Sequence, residues 1–198
     1  MSDSDKTIPK VFILESLDFE DESNRHFEGE IIAGILNFSN IECEYNYFRT
    51  KKEFDYLLKK FEESKFRYLH ISCHGSKNSL SFSLDNVSFD ELCLVLAPVL
   101  DKKRLFISAC SATNEILANK IFSETYCYSL IGPSKKPNIN DAAIFWASFY
   151  HIMFNKNVSS MKKEDLTPVL STLAQLYKIP MKYYSSSRNS TWKEIGLK

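Results

Sequence analysis

Glycine and proline are scarce, five and six in 198 residues, which excludes a collagen-like, linker-rich or low-complexity chain. Cysteine is equally sparse: Cys43, Cys73, Cys93, Cys110 and Cys127 are odd in number and never stand as Cys-x-x-Cys. That excludes a disulfide framework and a zinc ribbon, and leaves free thiols suited to a reducing cytosol. Neither sign of charge prevails, with 25 basic residues against 25 acidic. No overall field draws the protein to nucleic acid or anionic lipid, and no contact with either is expected. No apolar run approaches the ~20 residues of a bilayer span, and Met1-Ser2-Asp3-Ser4-Asp5 lacks the basic-then-apolar order of a signal peptide. A soluble, cytoplasmic protein is expected. Also missing are a Gly-x-x-x-x-Gly-Lys-Ser/Thr loop and a Gly-x-Gly-x-x-Gly after the first strand, which argues against a nucleotide-binding domain. There is no repeat of solenoid period.

What is present is ordinary globular composition, 44% apolar and 25% charged. At ~150 residues per domain a single domain over 1–198 is expected, with 1–9 flexible and 184–191 a mobile loop around Ser185-Ser186-Ser187-Arg188-Asn189-Ser190. Short apolar or alternating runs at 10–14, 41–48, 66–72, 104–108 and 126–131 read as strands. Between them, Phe27, Ile31, Ile32, Ile35 and Leu36, then Phe54, Leu57, Leu58 and Phe61, fall at helical spacing. Ser81-Phe82-Ser83-Leu84 predicts a hairpin turning at Asp85-Asn86. Ser88 and Glu91 fit a capping box opening a helix that ends before Pro98. Further helices are predicted over 113–122, over 142–154 with Asp141 as N-cap, and around Leu166–Tyr177 with Pro168 in the first turn. Strands alternating with helices imply a three-layer α/β/α sandwich on a mostly parallel sheet.

In such sheets the ligand crevice lies beyond the carboxyl ends of the strands. Two of those ends are unusual: Ile71-Ser72-Cys73-His74-Gly75-Ser76 and Phe106-Ile107-Ser108-Ala109-Cys110-Ser111-Ala112. If the strands are neighbours, His74 and Cys110 project into one crevice, where an imidazole can lower a thiol's pKa or carry its proton. Gly75, without a Cβ, lets the backbone approach a substrate and aim its N–H at an oxyanion, with the N–H of Cys110 as second donor.

His74-Gly75 after one strand and Ser108-Ala109-Cys110-Ser111 after the next resemble the His-Gly and Ala-Cys signatures of the caspase-like (clan CD) cysteine peptidases, closest to their prokaryotic CHAT-domain branch. The Asp85-Asn86 turn, the helix from Asp141-Ala142-Ala143 and a closing Trp192–Gly196 segment extend the resemblance along most of the chain. It implies a caspase-like sheet, a peptidase with His74 as general acid/base and Cys110 as nucleophile, an oxyanion held by the Gly75 and Cys110 N–H groups, and no cofactor or metal. It further implies a protein or peptide substrate, a gated effector in a bacterial defence or cell-death module, and an activator or regulatory protein encoded nearby. The chain departs from the mammalian caspases: Gln-Ala-Cys-x-Gly reads Ser108-Ala109-Cys110-Ser111-Ala112, and positions 74 and 110 lie closer than the about 50 residues usual in caspases.

Clan members that cut after basic residues place a carboxylate in the first specificity pocket, for which Asp85, Asp141 and Asp90 are candidates. Ser76-Lys77-Asn78-Ser79 reads as a mobile rim loop. His70 reads as structural and His26 and His151 as helix residues rather than ligands. Strand alternation turns Cys73 away from the crevice, and Cys43, Cys93 and Cys127 read as core or surface thiols. The acidic stretch Asp18, Glu20, Asp21, Glu22 reads as a solvated loop. The alternative function is a catalytically silent CHAT-like protein-binding module, which thiol reactivity separates from a peptidase: a nucleophilic Cys110 alkylates selectively and well below pH 8.5.

Overall fold

The computed structural model describes residues 7–187 and 191–197. The strands in chain order are β1 (Ile8–Glu15), β2 (Cys43–Tyr47), β3 (Phe66–Ser72), the short β4 (His74–Gly75), β5 (Ser79–Ser81) and β6 (Asn86–Ser88), then β7 (Arg104–Ser108), β8 (Ser129–Pro133), β9 (Met181–Ser187) and β10 (Thr191–Glu194). The helices are α1 (Phe19–Ser23), α2 (Glu28–Phe38), α3 (Lys51–Ser64), α4 (Phe89–Leu96), α5 (Glu115–Glu124), α6 (Ile139–Lys156) and α7 (Lys163–Leu176). Seven strands form one sheet in the order β10-β9-β8-β7-β3-β1-β2. β1, β2, β3, β7 and β8 are parallel, while β9 and β10 close one edge antiparallel. β4, β5 and β6 make a separate small antiparallel sheet.

Strand alternation sends neighbouring side chains to opposite faces, and two cores result. Phe12, Leu14, Leu69, Ile71, Leu105 and Ile107 pack against α3, α4 and α5 through Phe54, Phe61, Leu92, Leu96, Leu117 and Ile121. Val11, Ile13, Tyr68 and Phe106 pack on the other side against α2, α6 and α7. There Trp146 and Tyr150 of α6 pack edge-on against Phe106 and His70, and Phe149 packs tilted against Phe106. Truncating a buried aromatic such as Trp146 to Ala costs about 3–5 kcal/mol. This arrangement is the three-layer sandwich the periodicity implied.

Several local expectations change. The capping box at Ser88 and Glu91 is present, but the N-cap of α6 is Asn138, whose Oδ1 accepts from the Asn140 and Asp141 N–H groups, so Asp141 lies inside the first turn. Pro168 sits beyond the first turn of α7, where it denies the Glu164 carbonyl its helical donor. The hairpin turns at 82–85, closed by Phe82 N–H to the Asp85 carbonyl at 2.7 Å. Ile31 is exposed, because the buried stripe of α2 runs through Glu28, Ile32 and Leu36 instead. The acidic stretch is not a loop: Asp18 caps a helix, its Oδ1 accepting from Asp21 N–H. Residues Ile8 and Pro9 belong to β1, and Ser185–Ser187 belong to β9 rather than to a loop. Residues 1–6, 188–190 and 198 lie outside the described residues.

Candidate active site

β3 and β7 end side by side, with Ser72 opposite Ser108 and Cys73 N–H donating to the Ser108 carbonyl at 3.1 Å. The segments carrying His74 and Cys110 therefore leave from adjacent strand ends. A Cβ on Gly75 would lie 2.9 Å from the Ala109 Cβ and 3.1 Å from the Cys110 carbonyl oxygen, so only glycine lets β4 pack directly on the Cys110 loop. A Cβ on Gly132 would sit 2.1 Å from the Ile107 carbonyl oxygen and 2.3 Å from Thr113 Oγ1, which holds β8 close beneath the same loop. Ser111 turns that loop in the left-handed region, φ 58°.

His74 and Cys110 line one cleft together with Asp21, His26, Glu28, Ser72, Cys73, Ser108 and Lys136. His74, 40% exposed, places Nε2 2.9 Å from Asp21 Oδ2 and 3.2 Å from Asp18 Oδ2. These are charge contacts without the alignment of a hydrogen bond. The other Asp21 oxygen is held by His26 Nδ1 at 2.8 Å. Among the described residues, carboxylates face the His74 imidazole at Nε2. Cys110 is half-buried. Burial pushes its thiol above the ordinary range while the Lys136 ammonium pulls it down. The other cysteines are pushed up by burial as well: Cys43 and Cys93 to about 11, Cys127 to about 12, and Cys73 further.

Of the expected carboxylates, none lines the cleft. Asp85 Oδ2 accepts from Lys51 N–H at 2.7 Å, capping the start of α3, Asp90 pairs with Lys120, and Asp141 stands in the α6 turn. Ser76–Ser79 is a hydrogen-bonded turn, closed by Ser76 N–H to the Ser79 carbonyl at 2.9 Å and tied to Asn114 through the Lys77 carbonyl. Cys73 is buried in the core facing α3–α5, as alternation implies, yet it also borders the cleft. His70 is structural, its Nδ1 on Tyr150 Oη at 3.0 Å, and His26 precedes α2 instead of lying on a helix.

Sequence reading missed Asp21, His26 and Glu28. Position after a strand end was the available signal for Asp21, and for Glu28 it was a carboxylate one turn before Ile32 on the buried stripe. Asp18, Asp21 and His74 are the only three metal-ligating side chains among the described residues whose ligand atoms gather within 4.8 Å. Pairing with the His74 imidazole accounts for them.

Neither a protein-family model nor a curated protein matches the sequence. Solved structures do. A secreted C11 cysteine protease from Bacteroides thetaiotaomicron, "iotapain", superposes with a TM-score of 0.60 at 9% identity over 90% of this chain. The caspase-like fold is shown. This chain spans 66% of that protease's length. The same type of protease with an irreversible peptide inhibitor gives 0.56 at 7%, over 89% of this chain and 66% of that one. Caspase-1 from Spodoptera frugiperda gives 0.56 at 11% identity, covering 96% of this chain and 87% of that one. No helix among the described residues is long and apolar enough to cross a membrane.

Proposed function

We propose that the chain is a cysteine endopeptidase of caspase type, with His74 and Cys110 as its dyad. The observation that carries this reading is that adjacent strand ends deliver an imidazole and a half-buried thiol to one cleft, within a fold shared with cysteine proteases. Cys110 Sγ attacks the scissile carbonyl carbon as His74 Nδ1 takes the thiol proton. The Asp21 carboxylate stabilises the imidazolium so formed, and the N–H groups of Gly75 and Cys110 bind the oxyanion. The tetrahedral species collapses, the C–N bond breaks, and His74 returns its proton to the leaving amine. Water, deprotonated by the same imidazole, then cleaves the thioester and restores the thiol. The raised resting thiol suits a gated enzyme, in which substrate or a partner completes the site.

The sequence resemblance supports the CHAT branch and a cytoplasmic setting in a bacterial defence or cell-death module with an activator encoded nearby. The test is mapping of new protein N-termini in cells expressing the chain with its genomic neighbours. Termini absent in both Cys110→Ala and His74→Ala are the expected outcome; termini unchanged in those variants refute the dyad. The raised Cys110 thiol also favours a second reading, a catalytically silent protein-binding module, for which no sample yields new termini.

A further inference from the structure

One hydrogen bond ties α2 to the loop that carries Cys110, and a buried carboxylate makes it. Glu28, the first residue of α2, is 4% exposed and stands on the cleft wall with Ser108 and Cys110. It reaches that wall because Gly29 lets α2 press onto the sheet: a Cβ on Gly29 would lie 2.9 Å from Tyr45 Cε2 and 3.0 Å from Ile13 Cγ2. Glu28 Oε2 accepts from Ser108 Oγ at 2.9 Å, at the end of β7 and two residues before Cys110. The other oxygen, Oε1, is buried without a hydrogen-bond partner. His70 Nε2 lies 3.5 Å from it, out of alignment and itself unpartnered. Glu15, fully buried nearby and held by Gly29 N–H at 2.7 Å and Tyr45 Oη at 2.8 Å, adds a second carboxyl group and no cation.

The start of a helix favours a negative charge, but a desolvated carboxylate oxygen without a donor carries a cost that a neutral glutamine would not. Buried polar atoms without partners are rare in folded proteins, and here two of them meet beside the bond to Ser108. What the charge gives in return is grip, since an ionised acceptor holds a hydroxyl about twice as strongly as a neutral one. The loop needs holding: Ser111 turns it with φ 58°, a conformation that persists only where the surroundings impose it. Resting on the peptidase reading above, we propose that Glu28 is a positioning residue, which through Ser108 fixes the Cys110 loop and keeps the Cys110 N–H aimed at the oxyanion as the tetrahedral species forms. Because it acts on a donor used in the transition state, Glu28 bears on kcat and leaves KM nearly unchanged.

Two arms test this on the full chain. In the first, kcat and KM are measured for a peptide spanning a cut site found by the N-terminal mapping above. Glu28→Gln and Ser108→Ala are each expected to lower kcat by roughly tenfold or more with KM within about twofold, and the double variant to fall no further than the lower of the two, because all three remove one hydrogen bond. Losses that multiply in the double variant, or a loss confined to KM, overturn the proposal. The second arm needs no substrate. The N–H groups of Cys73 and Ala112, bonded to the Ser108 and Ala109 carbonyls, report on the loop through their hydrogen exchange. Exchange at both is expected to quicken roughly tenfold in Glu28→Gln, while Leu69 and Leu105 inside β3 and β7 exchange as in wild type. Unchanged exchange at Cys73 and Ala112 overturns the proposal, and so does quickening throughout the sheet, since the charge then serves the fold. Local quickening in a chain that cuts no peptide upholds the clamp on the loop and refutes the peptidase.

Discussion

His70 and His74 leave β3 four residues apart and meet opposite surroundings. His70 is fully buried under α6, its ring edge-on to Trp146 at 5.0 Å and its Nδ1 on Tyr150 Oη. His74 opens to the cleft that Cys110 also lines, with carboxylates on Nε2. The first imidazole is held by packing and serves the fold, whereas the second stands against two carboxylates at the cleft. The cysteines divide the same way: Cys127 is sealed between the Lys103 and Ser129 carbonyls, and Cys110 sits half-buried in the cleft. On the proposed reading, a residue type becomes chemistry only where the strand runs out.

The sharpest way to break this contrast is to exchange the losses. Cys110→Ala is expected to reduce peptide cleavage by about 10³-fold or more with the melting temperature unchanged, as read by peptide assay and thermal denaturation together. His70→Ala is expected to do the reverse, costing about 2–4 kcal/mol of stability by leaving a cavity and an unpaired Tyr150 hydroxyl, as read by chemical denaturation. Asp21→Asn sharpens the cleft side, with a roughly 10- to 10³-fold fall in kcat and little change in KM, because it removes charge that stabilises the imidazolium.

The buried carboxyl group behind the cleft gives a smaller effect. Glu15 holds its proton to about 7 in the fold against 4.5 in a free chain, so wild-type stability falls as pH rises from 4.5 through 7. Glu15→Gln is therefore expected to stabilise by about 1–3 kcal/mol at pH 8 and by almost nothing at pH 4, measured by denaturant titration at the two pH values. The smallest effect belongs to Lys136→Met. Loss of the cation raises the Cys110 thiol further and slows its alkylation at pH 8 by roughly two- to fivefold.

Much of the frame was legible in sequence because it rests on local signals. The bounds of β3 and β7, the apolar stripe of α3 and the capping box at Ser88 follow from periodicity and side-chain chemistry alone. β9 and β10 were not, since a serine-rich run reads as loop until β8 supplies a partner along its edge. The site divides similarly. His74, Gly75 and Cys110 announce themselves at strand ends, but Asp21, His26 and Glu28 acquire meaning only when α1 and the start of α2 fold across those ends. Asp85 and Asp141 looked available in sequence; Asp85 is engaged at the start of α3 and Asp141 stands inside the first turn of α6.

The most direct measurement is the rate at which iodoacetamide alkylates Cys110 at pH 7.5, located by mass spectrometry, in wild type, His74→Ala and His70→Phe. If His74 serves the thiol and His70 the core, alkylation slows at least tenfold in His74→Ala and holds near the wild-type rate in His70→Phe. Equal rates in wild type and His74→Ala would contradict the dyad.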